Sequence, residues 1–190
     1  MKHSKYNQRQ IGFTLIELLV VIAVIGLLSS IAFVSLDNAR AKARDARRLA
    51  EIKQLQTALE LYYDKNGAYP VSGNCGATSP NGGWCNSVES LSNDHWVRRG
   101  VVNLSEFISK DPLDPKQGGA PNFRPYNGGT IFYYANGYGG AGQWYMIIFG
   151  LENYPHYLES KDGVTACNGT YFHYGSGSNG IITLGGDCAF

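Results

Sequence analysis

The chain has 190 residues with 24 glycines, 13 tyrosines and four histidines, and its 16 Lys and Arg against 15 Asp and Glu leave a net charge of +1. That length suits one modest domain with an appendage and leaves little room for a second large core. The near-neutral balance excludes the strongly basic footprint of a general nucleic-acid binder, and 44% hydrophobic against 16% charged residues excludes a disordered polyelectrolyte.

In chain order the composition is uneven. Residues 1–12 carry Lys2, Lys5 and Arg9 and no acid. Residues 13–36 hold 16 Leu, Ile, Val or Phe side chains and a single charge, Glu17. As one helix that run measures about 36 Å, against roughly 30 Å of bilayer hydrocarbon. Its apolar side chains, at about −0.3 to −0.6 kcal/mol each, outweigh the roughly +3 kcal/mol of one mid-membrane acid, so insertion is expected. The basic leader is then expected in the cytoplasm and everything after Leu36 outside it.

Ser29, Ser30 and Ala32 lie inside the apolar run rather than after it, which argues against an ordinary secretory cleavage site. Hydropathy by itself reads as an uncleaved signal anchor. Glu17 weighs against that reading, because an acid in hydrocarbon persists only where its charge is compensated. Nothing in the run supplies a cation. A cut between Gly12 and Phe13 would free an α-amino group four residues before Glu17, which a neighbouring subunit could present to that carboxylate.

Gly12-Phe13-Thr14-Leu15-Ile16-Glu17-Leu18, behind a short basic leader and opening an apolar run, resembles the prepilin signature of type IV pilins and pseudopilins. The resemblance implies cleavage after Gly12 by a membrane prepilin peptidase, N-methylation of the new Phe13 terminus, and a role for Glu17 in filament assembly. It also implies an α+β, pilin-like fold: a long N-terminal helix, transmembrane in its first half, packed on a small antiparallel sheet. The expected organisation is a leader over 1–12, a membrane and assembly helix over 13–36, its amphipathic continuation over 37–66, and a globular head over 67–190.

Residues 37–65 hold seven basic and five acidic side chains without glycine or proline. Ala39, Ala43, Ala46, Leu49, Ile52, Leu55, Leu59 and Tyr62 recur in steps of three and four, a helical stripe suited to docking on the head. Arg40, Lys42, Arg44, Arg47 and Arg48 fall mostly off it and read as a solvated face with some ion pairing one turn away. Asn66-Gly67 predicts the helix stop, with Pro70 beyond. The helix then runs from about Phe13 to Lys65, roughly 80 Å. Many members of the resembled family carry a proline within this helix and this chain has none; Gly26 and Ser29-Ser30 are its intrinsic weak points.

In the head, Val101–Ser109 predicts a short helix. Thr130–Ala135 and Gln143–Phe149 predict a hairpin across the glycine-rich 136–142 loop, and Thr170–Tyr174 with Gly180–Leu184 a later strand pair. Four cysteines in an exported domain read as disulfides before metal ligands. Four allow three pairings, and proximity favours Cys75–Cys85 and Cys167–Cys188, the latter closing the C-terminal loop as in many pilins. Zinc is disfavoured by the lack of a CxxC pair, with His95, His156 and His173 apart in sequence. Asp111-Pro112-Leu113-Asp114-Pro115 resembles a pseudopilin segment, and turn chemistry is preferred there over a calcium site assembled with Asp162 or Asp187. No metal or cofactor is expected.

Trp84, Trp96, Trp144, Tyr133, Tyr134, Tyr138 and Tyr145 offer stacking surface for sugars or bases, although about half of such residues on alternating strands must face a core. Six basic against nine acidic residues in the head remove the electrostatic term for DNA, so no specific nucleic-acid partner is expected. No catalytic motif is present and no enzyme is expected.

The resemblance therefore implies a structural subunit of a type IV pilus-like filament, of the adhesion, motility or DNA-uptake class. Its implied partners are further copies in a helical filament, other pilins, prepilin peptidase, the pilus assembly platform, and the inner membrane before assembly. A pseudopilin of a type II secretion system, in a periplasmic pseudopilus, stands beside it. A membrane-anchored ligand-binding module is the rival from another class.

Overall fold

The structure, a computed structural model, describes residues 12–72, 84–87, 97, 102–116, 130–153, 163–174, 180–186 and 188. Backbone proximity divides the chain into two units, Met1–Arg40 and Ala41–Phe190. One helix of 52 residues, α1 (Leu15–Asn66), contributes to both.

Within the first unit no proline interrupts the helical hydrogen-bond ladder. The two expected weak points do not break it either. The Ser29 hydroxyl donates to the Ile25 carbonyl and the Ser30 hydroxyl to the Leu27 carbonyl, each at 2.7 Å, so both polar groups are satisfied by the helix itself. Among the described side chains from Phe13 to Leu36, the large apolar ones stand 44–83% exposed. An 18-residue window of mean hydropathy 2.7 has none of its length buried, and α1 is long and apolar enough to cross a membrane. A helix apolar on every side has no single face to turn towards a core.

The second unit begins where the same helix acquires one buried face. Ile52, Leu55, Ala58 and Leu59 are at most 1% exposed and pack with the head's core. The predicted docking stripe holds from Leu49 to Tyr62, but Ala39, Ala43 and Ala46 stay exposed. Asp45 and Arg48 take the buried positions one turn along instead. At its end α1 stops as the sequence predicts. Gly67 adopts φ 71° and its N–H donates to the Tyr63 carbonyl at 2.7 Å, a left-handed cap that favours glycine.

The sheet has four antiparallel strands in the order β1 (Cys85–Asn86), β2 (Phe132–Tyr134), β3 (Tyr145–Gly150) and, at the far edge, β6 (Ile181–Gly186). A second sheet pairs β4 (Val164–Thr165) with β5 (Tyr171–Phe172). The predicted hairpin is present, with Tyr133 opposite Ile147. The predicted later pair is corrected. Both strands form, but β5 pairs with β4, while β6 pairs with β3 from Tyr145–Gly186 to Gly150–Ile181. The predicted helix over Val101–Ser109 is also corrected: Val102 is in a 3-10 conformation, and beyond it residues 105–107 form a turn in which the Phe107 and Ile108 N–H groups both donate to the Leu104 carbonyl. Leu104 is fully buried there, and packing fixes the turn where helix propensity alone would extend it.

Every residue of β3 is buried. Tyr145, Ile147 and Phe149 belong to the cluster containing the helix residues, whereas Met146 and Ile148 pack with Val164, Ala166 and Trp144. The small β4–β5 sheet and Trp84 thus cover the face that a two-layer helix-on-sheet arrangement would leave wet.

Candidate functional site

The helix begins at a reciprocal capping box. Thr14 precedes the first helical residue, and its carbonyl accepts the Leu18 N–H at 3.3 Å. Its Oγ1 accepts from the Glu17 N–H at 3.3 Å. In return, Glu17 Oε2 accepts from the Thr14 N–H at 2.9 Å and the Thr14 hydroxyl at 2.8 Å. A threonine N-cap with a glutamate three residues on satisfies donors that the first turn otherwise leaves orphaned. Phe13 and Leu18 occupy the flanking positions at which apolar pairs commonly frame such a cap.

Gly12 and Phe13 lie outside the helix and are exposed, and among the described residues nothing beyond the chain neighbours comes within 4 Å of where a Gly12 Cβ would stand. The leader residues 1–11 lie outside the described residues. Sequence reasoning sought a cation for Glu17 and overlooked Thr14. In the single subunit the carboxylate is met by two dipolar donors at the positive end of the helix dipole. The Thr-x-x-Glu spacing carried that signal.

A second charged site lies in the head unit. Arg48, fully buried, places Nε and Nη2 on the two carboxylate oxygens of Asp114 at 2.7 and 2.9 Å. Its Nη1 reaches Asp45 Oδ1 at 2.7 Å and Glu152 Oε1 at 2.9 Å. Arg44 forms a second fork, Nε and Nη2 to the Glu152 oxygens at 2.7 and 2.6 Å, and Lys116 Nζ adds 2.7 Å to Oε2. Asp45 accepts the backbone N–H groups of Glu152 and Asn153 at 2.9 and 2.7 Å.

Three cations therefore meet three anions, and the helix, the Asp-Pro segment and the end of β3 are fastened at one point. The expectation of a solvated basic face is corrected for Arg44 and Arg48. It holds for Arg40, whose 3.7 Å pair with Asp37 is exposed. Burial works against the Arg48 charge, but the hydrogen bonds to Asp114 and Glu152 outweigh it and the guanidinium holds its proton more tightly than usual. Arg44, followed by Lys116 and Arg48, keeps the Glu152 carboxyl far below the usual carboxylate range despite its partial burial. Asp114 also accepts the Lys116 N–H at 2.8 Å, so its turn role and its clamp role coincide.

Cys167 and Cys188 form a disulfide with Cα atoms 5.0 Å apart. The other expected pair includes Cys75, which lies outside the described residues. So do Trp96, His95, His156, Asp162 and Asp187. Among the described residues no group of three or more His, Cys, Asp or Glu side chains is arranged to hold a metal ion.

The expected aromatic surface is largely interior. Trp144, Tyr133 and Tyr145 are at most 1% exposed, and Tyr138 is the member that stands 44% exposed. Tyr69 and Tyr145 direct their hydroxyls at Glu60, at 3.0 and 3.2 Å. Burial, aided by the Glu60 charge, raises both hydroxyls above their ordinary range.

A family model described as the prokaryotic N-terminal methylation motif matches residues 7–33. The chain is 35% identical over 69 residues to the type IV major pilin protein PilA of Myxococcus xanthus, covering 36% of this chain and 31% of that protein. It is 37% identical over 66 residues to the type II secretion system core protein G of Aeromonas hydrophila, covering 35% and 46%. It is 34% identical over 74 residues to the type IV major pilin protein PilE1 of Neisseria gonorrhoeae, covering 39% and 35%. The chain spans less than half the length of these relatives. No solved structure matches it.

Proposed function

We propose that the protein is a structural subunit of a type IV pilus-like filament, inserted in the inner membrane as a precursor, cut by a prepilin peptidase after Gly12 and polymerised through α1. The observation that carries this reading is the apolar first part of α1, with no residue of its 18-residue hydropathic window buried, directly behind a non-helical Gly12-Phe13 peptide. In lipid the apolar surface is solvated by acyl chains. In a filament it is covered by neighbouring helices, so extraction need not expose it to water. The bond to be cut stands outside the helical ladder, between two exposed residues.

The freed and N-methylated Phe13 amine lies one residue before the Thr14 cap. Glu17, already oriented towards the chain start, is the acceptor for that amine on an adjacent subunit, and this pairing sets axial register. The head is carried outside the cytoplasm, no catalytic step is assigned to it, and its partners are other copies, other pilins and the assembly platform. The similarity to core protein G supports a second form of the same reading, a pseudopilin in a periplasmic pseudopilus.

The test is to shear producing cells, collect surface filaments and sequence them by mass spectrometry. A dominant chain beginning at methylated Phe13 supports the pilus form. Processed chain retained with the cell envelope supports the pseudopilus form. An intact Met1 leader on membrane-held protein overturns both.

A further inference from the structure

We propose that Asn103 is a site of N-linked glycosylation and that the second sequon of the chain, at Asn168, is not. The inference rests on the export of the head proposed above. Two segments match Asn-x-Ser/Thr, namely Asn103-Leu104-Ser105 and Asn168-Gly169-Thr170. Both asparagines are exposed, so exposure does not separate them.

Geometry does. At the first sequon Leu104 is fully buried and turns its two neighbours outward, leaving Asn103 and Ser105 exposed together. The Ser105 hydroxyl donates to Asn103 Oδ1 at 2.7 Å, and the Ser105 N–H donates to the same oxygen at 3.3 Å. The carbonyl end of the amide is therefore engaged. Nδ2, the atom that would form the new bond, has no acceptor among the described residues. The two groups that define the sequon are presented side by side at the surface.

At the second sequon the chain is tied to the 138–139 segment and, through the preceding residue, to Cys188. Asn168 and Gly169 form the turn between β4 and β5, with Gly169 at φ 84°. The Asn168 N–H donates to the Tyr138 carbonyl at 2.9 Å, and Gly139 packs so closely that a Cβ there would stand 3.3 Å from the Asn168 Cβ. The Thr170 N–H donates to Asn168 Oδ1 at 3.0 Å, as the Ser105 N–H does to Asn103 Oδ1, but Thr170 is half-buried where Ser105 is exposed, and its carbonyl accepts the Ala166 N–H. Cys167, the preceding residue, is tied to Cys188. An enzyme that must draw an asparagine and the hydroxyl two residues later into one cleft would have to open this closed hairpin.

The donor is a saccharide linked to a lipid through pyrophosphate, the chemical class of activated glycan available at a membrane surface. Asn103 Nδ2 attacks the anomeric carbon. A carbon–nitrogen bond forms, and the bond from that carbon to the pyrophosphate oxygen breaks. The lipid pyrophosphate leaves with the electron pair, and one amide proton passes to a base on the transferase.

The test is peptide mass spectrometry of the mature protein taken from its producing cells. The expected result is an added saccharide mass on the peptide holding Asn103 and none on the peptide holding Asn168. The mass is lost in Asn103→Gln and Ser105→Ala and retained in Ser105→Thr and Asn168→Gln. An unmodified Asn103 peptide, a saccharide that survives Ser105→Ala, or one found on Asn168 would overturn the proposal. The N-terminal peptide in the same digest reports separately on Phe13, so the subunit reading stands or falls by a different signal.

Discussion

Removing the Arg48 guanidinium would leave Asp45 and Asp114, 6% and 2% exposed, without their shared cation. Breaking one side of a buried charge network costs about 3–5 kcal/mol, because the remaining charges keep their desolvation penalty and lose their partner. Arg48→Ala is therefore expected to destabilise the head by about that amount in denaturant unfolding of the mature protein in detergent. Arg40→Ala, at an exposed pair, should change it by less than about 1 kcal/mol. At the other end of the helix, Glu17→Ala or Glu17→Leu is expected to leave membrane insertion intact and abolish filaments, scored by membrane fractionation and filament counts. Normal filament numbers in either variant would remove the assembly role from Glu17. Thr14→Ala loses a cap worth about 1 kcal/mol, and Thr14→Ser should retain it.

These residues were unequally legible. Glu17 stood out because a carboxylate in an apolar run is conspicuous. Thr14 was equally visible as the first half of a Thr-x-x-Glu box. Arg48 was not, since its partners Asp114 and Glu152 lie 66 and 104 positions away and local periodicity carries no record of them.

At the scale of elements, backbone approach sets the tightest limits. A Cβ at Gly185 on β6 would collide with the Tyr145 carbonyl oxygen and come within 3.0 Å of the Met146 Cα across the β3–β6 ladder. Gly185→Ala is expected to cost about 1–3 kcal/mol, the ordinary range for overpacking, seen as a lowered thermal midpoint. The Cys167–Cys188 link, with a sequence separation of 21, should contribute about 3 kcal/mol by restricting the unfolded chain. Cys188→Ser should therefore lower stability by about 3 kcal/mol, and reduction of the wild type by more, since Cys85 is disulfide-bonded as well.

The long helix, its stop at Gly67 and the β2–β3 hairpin could be read from period and turn chemistry. The partner of β6 could not. Thr170–Tyr174 and Gly180–Leu184 are close in sequence and both strand-like, which favours pairing them. The six-residue length of β3 and its two buried faces instead make it the better partner for β6. The two segments still touch: the Thr183 hydroxyl accepts from the Tyr174 N–H at 3.0 Å, and Phe172 and Tyr174 pack with Ile181.

For the whole molecule, Glu152 links charge to pH. Its carboxyl is held below the ordinary value by Arg44 first and by Lys116 and Arg48 after it. The folded state then binds the proton less readily than the unfolded chain, whose glutamates titrate near about 4.3. The stabilisation is fully present above that value and is lost as pH falls from there towards the lower folded value. Stability of the mature protein should decline through that acid window, and Glu152→Gln should flatten the decline while lowering stability at neutral pH. An unchanged acid profile in Glu152→Gln would remove Glu152 as its source.

The clamp also has a mechanical meaning. In the filament proposed above, tension on a subunit would run along α1 and meet, within the head unit, the pair of guanidinium forks at Arg44 and Arg48. Two-pronged ion pairs resist shear along the helix axis, since sliding by one turn breaks all the prongs together. The Arg48–Asp114 fork, its side chains 1% and 0% exposed, is screened little by salt, whereas the Arg44–Glu152 fork, 30% and 20% exposed, should weaken somewhat as salt is added. Through Glu152, which follows β3, the intact joint hands the load on to the sheet.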